Sequence, residues 1–141
     1  MADENVIYKR VCPRYDKIIP TLSPLPEETL EYVDRILKTG NPESLPPVVL
    51  LLSDDVLIPF DGSTRLTKSY ETGIEIPAVI ILPSGRYDFD FSFTGGDIET
   101  LVYEEIIGIV RGCQKRAYEL GIKTWEDQLN YVKKRRNVKR I

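Results

Sequence analysis

The stretch PVVLLLSDDVLIPFDGSTRLTKSYETGIEIPAVIIL, from Pro47 to Leu82, decides the fold of this chain. Three apolar runs divide it, and each predicts a strand: residues 48–52, 56–60 and 76–82. A turn at 53–55 separates the first two runs, and a short amphipathic segment at 66–72 precedes the third. The predicted order is therefore strand, turn, strand, helix, strand.

The residues Asp61-Gly62-Ser63-Thr64-Arg65, which we call the elbow, lie between the second run and the amphipathic segment. Gly62 allows a sharp turn close to a ligand, and the following helix offers free N–H groups to an anion. Ser63 and Thr64 can cap that helix or donate hydroxyls, and the Arg65 guanidinium suits phosphate. The elbow predicts a phosphate site, although the same residues also suit an ordinary Asp-Gly turn followed by a solvated arginine.

The ordered pattern resembles the ParB/sulfiredoxin-like fold family, which shows strand, turn, strand, G-x-x-R, helix, glycine and a strand often introduced by Ile-Pro. This chain has Gly62-Ser63-Thr64-Arg65, Gly73 and Ile76-Pro77 in that order. Residues 20–40 resemble the family's proline-containing lead-in, helix and glycine, so the resemblance covers 15–83. It implies that ATP, ADP or CTP binds with Mg²⁺, with the phosphates on Gly62–Arg65 and the base toward the lead-in.

The departures from the family pattern bear on activity. Sulfiredoxins carry G-C-H-R at the elbow, whereas Ser63 and Thr64 stand here, so sulfinic acid reductase chemistry is disfavoured. Free serine kinases carry Asp-Gly followed by His and Arg, and this chain keeps Asp61, Gly62 and Arg65 without the histidine. Partition ParB proteins bind CTP at G-E-R-R, but their further CTP-contacting motif does not follow the third strand here.

The resemblance leaves three functions open. The first is a nucleotide-binding protein that acts on or with DNA. The second is a small-molecule kinase or other phosphotransferase, and the third is a non-catalytic module that binds DNA or protein. Whether the chain is an enzyme, a nucleotide hydrolase or phosphotransferase, stays undecided at this level.

Candidate catalytic groups follow from the absence of histidine in these 141 residues. A general base must then be Asp, Glu, Lys, Tyr or Cys, and oxygen ligands favour magnesium over zinc. Glu27 and Glu28 open a predicted helix in the lead-in, and Asp61 precedes Gly62, so these three carboxylates are the candidates. Acids at a helix start are also favoured by the helix dipole alone.

Composition predicts one globular domain over 1–141, because the hydrophobic fraction is 42% and the charged fraction 29%. Neither a membrane-spanning run nor a signal peptide is expected from the sequence. Cys12 and Cys113 have no metal-like spacing, so we expect free thiols and a cytoplasmic protein. A homodimer remains open.

Charge is uneven along the chain, whose net charge is −3. The last residues, 133–141, carry basic side chains and no acid: Lys133, Lys134, Arg135, Arg136, Lys139 and Arg140. A basic tail on an acidic body predicts binding to nucleic acid. The alternative is a helix end at which cations favour the negative dipole.

The fold class predicted from these signals is α/β, or α+β in stricter terms: a small mixed sheet with packed helices and two C-terminal helices within 97–136. Outside the central stretch, strands are predicted at 6–11 and 86–93, and helices at 27–39, 97–120 and 125–136. The strand at 86–93 is expected to pair antiparallel with 76–82 across a turn at 83–85. Gly108 and Gly112 are expected to allow close contact within the fold.

Overall fold

A computed structural model describes residues 4–21, 27–90 and 95–139, without the side chains of 27–30 and 135–139. Within these residues the fold is α+β, as predicted, with one mixed sheet of five strands and four α-helices. The strands are β1 (Glu4–Val11), β2 (Val48–Ser53), β3 (Val56–Asp61), β4 (Ile76–Asp90) and β5 (Ile98–Val102). The helices are α1 (Glu27–Thr39), α2 (Ser63–Thr72), α3 (Tyr103–Glu119) and α4 (Trp125–Lys139).

Strand β4 is the centre of the sheet. Its first half pairs antiparallel with β1 and parallel with β2, and β2 forms an antiparallel hairpin with β3. Its second half pairs antiparallel with β5. The strand, turn, strand, helix, strand order predicted from residue 48 to residue 82 is confirmed.

Helices cover both faces of the sheet, which explains why β2 is a continuous apolar run and does not alternate. One core joins the sheet to α1, α2 and α4, and the other joins it to α3. The first core contains Val11, Ile18, Val33, Leu37, Leu45, Val48, Leu50, Leu66, Ile76, Ala78, Ile80 and Trp125. The second contains Val49, Leu51, Ile58, Ile81, Phe89, Leu101, Tyr103, Ile106 and Val110. Neighbouring residues of β2 thus serve opposite cores, as the pleat requires.

The turn predicted at 83–85 is wrong, because β4 continues through it as one strand of 15 residues. Ser84 has a φ of +68°, and the register with β1 shifts opposite this point. The Pro-Ser-Gly signal therefore marks a bulge within a strand. Residues 86–90 pair with β5 and not with 76–82, while 91–93 lie outside the described residues.

The helix predicted over 97–120 is also wrong in its first turns. Residues 98–102 form β5, and α3 begins only at Tyr103. The second half of β4 would otherwise present an unpaired edge, and pairing with β5 satisfies it. Within that pair, the Thr100 hydroxyl donates to Asp88 Oδ1 at 2.7 Å.

The close contact predicted at Gly108 and Gly112 is not made. A Cβ added at either position would meet nothing within 4 Å among the described residues. Ile109, an apolar residue between these two glycines, is 61% exposed. The buried residues of α3 are Tyr103, Ile106, Val110 and Ala117. The outer face of this helix is therefore open within the part of the chain that the structure describes.

The last helix confirms its predicted start and extends its predicted end. The Thr124 hydroxyl accepts from the backbone N–H of Asp127 at 3.1 Å, and Asp127 Oδ2 accepts from that of Thr124. These backbone hydrogen bonds hold the pKa of Asp127 below its usual value, with the N–H of Lys123 as the main cause. Leu129 and Val132 of this helix are buried.

Candidate functional site

The elbow connects β3 to α2 in a conformation that requires glycine. Gly62 has a φ of +108°, in the left-handed region. A Cβ at this position would lie 2.4 Å from Val48 Cγ1, a fully buried side chain of β2. The first turn of α2 is thus pressed against the middle of the sheet.

Arg65 is held by two partners inside the chain. Its Nη2 donates to Asp61 Oδ2 at 2.6 Å, and its Nη1 donates to the carbonyl oxygen of Pro46. The Arg65 side chain is only 15% exposed. These contacts use two of the five N–H donors of a guanidinium. Arg65 therefore joins the elbow to the loop before β2, and donors remain for an anion.

Ser63 and Thr64 do not cap α2. The helix starts at Ser63, its N-cap residue is Gly62, and no side-chain hydrogen bond caps this end. Both side chains are buried, and the Ser63 hydroxyl donates to the carbonyl oxygen of Thr21 at 3.4 Å. The first turn of α2 therefore keeps N–H groups without a side-chain acceptor, which is the arrangement that attracts anions.

A cleft of about 140 Å³ borders the elbow. Its walls are the chain from Pro59 to Ser63, Thr21 from the lead-in, and the α3 residues Ile109, Val110 and Cys113. Pockets for small organic ligands usually measure about 300–1,000 Å³. The cleft can therefore take a group of phosphate size, and the remainder of a nucleotide would lie along the surface.

A buried polar chain supports the elbow from the side of the three helices. The Thr67 hydroxyl donates to the Ser63 carbonyl at 2.7 Å and accepts from Gln128 Nε2 at 3.3 Å. Gln128 is 2% exposed, and its Oε1 has no partner among the described residues. The sequence reasoning missed this residue, although a glutamine between the inward positions Trp125 and Leu129 was the available signal.

An ion-pair network joins the same three helices and was also missed. Lys68 Nζ lies 2.9 Å from Glu71 Oε1 and 3.5 Å from Asp34 Oδ1, and Lys38 lies 2.9 Å from Asp34 Oδ2. The hydrogen bond from Lys38, together with the charge of Lys68, lowers the pKa of Asp34 below its usual value. Lys68 is the buried member, and no sequence signal distinguishes it from the other lysines.

The three catalytic candidates lie on two different elements, β3 and α1. Asp61 lies at the elbow, but its carboxylate is paired with Arg65. Glu27 and Glu28 form the first positions of α1, and their side chains are not described. Among the described residues, no group of three or more Cys, Asp or Glu side chains could hold a metal ion. The catalytic role of these residues stays a prediction.

The basic segment is helical for most of its length. Helix α4 runs to Lys139, and Lys133 Nζ lies 3.8 Å from Glu71 Oε2 of α2. Lys134 is exposed, and Arg135, Arg136 and Lys139 belong to the helix without described side chains. Arg140 lies outside the described residues. Nucleic-acid binding through this segment stays a prediction.

No protein-family model, curated protein or solved structure matches this chain. The resemblance to the ParB/sulfiredoxin-like family therefore stays a prediction based on the residues quoted above. As for membranes, none of the helices in the described ranges has the length and apolar character needed to cross one.

Proposed function

We propose that this chain binds the phosphate groups of a nucleotide, ATP, ADP or CTP with Mg²⁺, at Gly62–Arg65. The observation that carries the proposal is the start of α2, which has no side-chain cap and lies at a cleft lined by Asp61, Gly62 and Ser63. An anion there would accept from backbone N–H groups and lie at the positive end of the helix dipole.

Arg65 would serve as the charged donor of this site. Its guanidinium lies next to Gly62, since a Cβ at Gly62 would be 3.3 Å from Arg65 Nη2. A phosphate offers stronger, charge-assisted hydrogen bonds than the Pro46 carbonyl that Arg65 now contacts. Ligand binding would therefore exchange the Pro46 contact for the phosphate, while Asp61 keeps the side chain in place.

A binding role has more support than phosphotransfer. A phosphotransferase needs a free general base within reach of the acceptor hydroxyl. The carboxylate of Asp61 is committed to Arg65, at 2.6 Å. Mg²⁺ is commonly held by phosphate oxygens, water and one or two carboxylates, so the nucleotide could carry its own ion into this site.

The proposal is tested by isothermal titration with each nucleotide and Mg²⁺, using Arg65→Ala against Arg14→Ala. Arg14 is a matched control because its guanidinium binds the carbonyls of Tyr70 and Glu71, at the opposite end of α2. We expect Arg65→Ala to weaken binding more than tenfold and Arg14→Ala to leave it unchanged, since charge-assisted hydrogen bonds contribute about 1.5–3 kcal/mol.

Arg65→Lys should restore little of the lost affinity, because one ammonium cannot replace a two-pronged guanidinium. A chain that binds no nucleotide in titration or thermal-shift measurements would contradict the proposal. Equal affinities for the wild type and Arg65→Ala would place the phosphates elsewhere.

A further inference from the structure

The outer face of α3 carries four exposed residues in one line: Glu105, Ile109, Gly112 and Arg116. Their spacing of i, i+4, i+7 and i+11 places them on a single stripe of a helix. Ile109 is 61% exposed, and a Cβ at Gly112 would meet no atom of the described residues within 4 Å. Within the described ranges, neither Glu105 nor Arg116 has an ion-pair or hydrogen-bonding partner for its side chain. The stripe is thus a helix face without a partner among the residues that the structure describes.

The stripe is complementary to the same stripe of a second copy in the antiparallel orientation. If two copies of α3 lie antiparallel about a two-fold axis, Glu105 faces Arg116 of the other copy, and Ile109 faces the other copy's Gly112. Each contact then occurs twice, as a two-fold interface requires. The apolar Ile109 side chain would fill the space above Gly112, which has no side chain. A parallel pair would instead bring like charges together at both ends, which is unfavourable.

We propose that this chain forms a homodimer through an antiparallel contact between the α3 helices of two copies. Gly112 allows the helices to approach closely, and the side chain of Ile109 leaves water on association. Two Glu105–Arg116 pairs would flank this apolar centre. These observations involve no nucleotide, so the dimer stands or falls separately from the proposed function.

The proposed contact borders the elbow cleft, because Ile109 belongs to both. The second copy would therefore add to the wall of the cleft next to α3. This placement gives the dimer a direct route to influence a ligand at the elbow, since the same side chain would contact the partner helix and the cleft. The ligand's affinity would then depend on protein concentration.

The first test is sedimentation equilibrium of the full chain over a range of concentrations. A single helix pair buries less than the ~800 Å² per partner of a standard interface, so we expect a reversible dimer. Ile109→Asp should give a monomer. Tyr118→Asp is the matched control, because Tyr118 is equally exposed, at 61%, lies off the stripe and contacts Lys123. It should leave the dimer unchanged.

The second test reverses the charges. Glu105→Arg and Arg116→Glu should each weaken the dimer at least tenfold, and the double variant should recover most of the loss, because it restores both pairs in the opposite sense. Circular dichroism should show the same helix content in all variants. A wild-type chain that stays monomeric up to a concentration of about 1 mM would overturn the proposal. So would a dimer that survives Ile109→Asp or a double variant as weak as the single ones.

Discussion

The two faces of the sheet are covered in different ways. On one face, α1, α2 and α4 share a core and are joined by charged side chains, with buried Lys68 between Asp34 and Glu71. On the other face, α3 is the one helix within the described ranges. Its polar contacts go to the sheet, where the Tyr103 hydroxyl donates to the Leu52 carbonyl at 2.7 Å. Ion pairs therefore join neighbouring helices on the first face, whereas the hydrogen bonds described for α3 join a helix to strands.

This difference explains the position of the elbow. The first turn of α2 is supported from below by Thr67 and Gln128, which belong to the three-helix face. On its other side, the elbow faces Ile109 and Cys113 of α3 across the cleft. The elbow therefore lies between the three-helix face, which supports it, and the cleft next to α3.

Among the variants that test how the two faces are packed, Gly62→Ala is expected to lose the most stability. The new Cβ would clash with buried Val48, and the alanine backbone would be forced into a left-handed conformation. Left-handed backbone costs about 1–2 kcal/mol and overfilling a core about 1–3 kcal/mol, so we expect a loss of about 2–5 kcal/mol in urea unfolding.

Gly73→Ala is the control for that experiment. Gly73 also has a positive φ, of +76°, but a Cβ there would meet the end of the Arg14 side chain, which can move. We expect the loss to be limited to the backbone cost of about 1–2 kcal/mol. If both variants lose the same stability, the elbow is not pressed against the sheet.

A smaller effect of opposite sign is expected on the α3 face for Gly108→Ala. Because no atom of residues 4–21, 27–90 or 95–139 lies within 4 Å of the new Cβ, we expect only helix propensity to change. Alanine is favoured over glycine by about 0.8–1.0 kcal/mol inside a helix, so the free energy of unfolding should rise by about that amount. The measurement is urea unfolding at low protein concentration. A decrease would mean that Gly108 contacts something within its own chain.

The sequence predicted the elements that have local signals and missed those that depend on tertiary contacts. Residues 48–82 were predicted because their signals are local: uninterrupted apolar runs, a glycine turn and a glycine helix end. Strand β5 was missed because it is stabilised by its pairing with β4, a tertiary contact that no local pattern encodes. The Pro-Ser-Gly sequence at 83–85 has the composition of a turn, and only the neighbouring strands make it a bulge.

In the candidate site, too, some features follow from residue type and others depend on tertiary packing. Gly62 and Arg65 could be predicted, because the φ of a glycine turn and the donors of an arginine follow from residue type. The partners of Arg65 could be predicted only in part. Asp61 lies four residues before it, within reach of a helical ion pair, but Pro46 is brought there by β2. The support from Gln128 depends on where α4 packs, so it required the structure.

The smallest effect concerns pH and the three-helix face. Lys38 and Lys68 lower the pKa of Asp34 below its usual value of 3.8, chiefly through the hydrogen bond from Lys38. A carboxylate with a lowered pKa in the folded state stabilises the fold above the unfolded value and loses that contribution as pH falls through the folded value. Asp34→Asn should therefore cost up to about 1 kcal/mol at pH 7, as partly exposed pairs do, and the difference from the wild type should disappear near pH 2.

Lys38→Met should show the same loss of pH dependence in part, because Lys68 remains beside Asp34. Urea unfolding at several pH values measures both variants. A gap between wild type and Asp34→Asn that stays constant down to pH 2 would show that the carboxylate stabilises the helices by its shape and not by its charge.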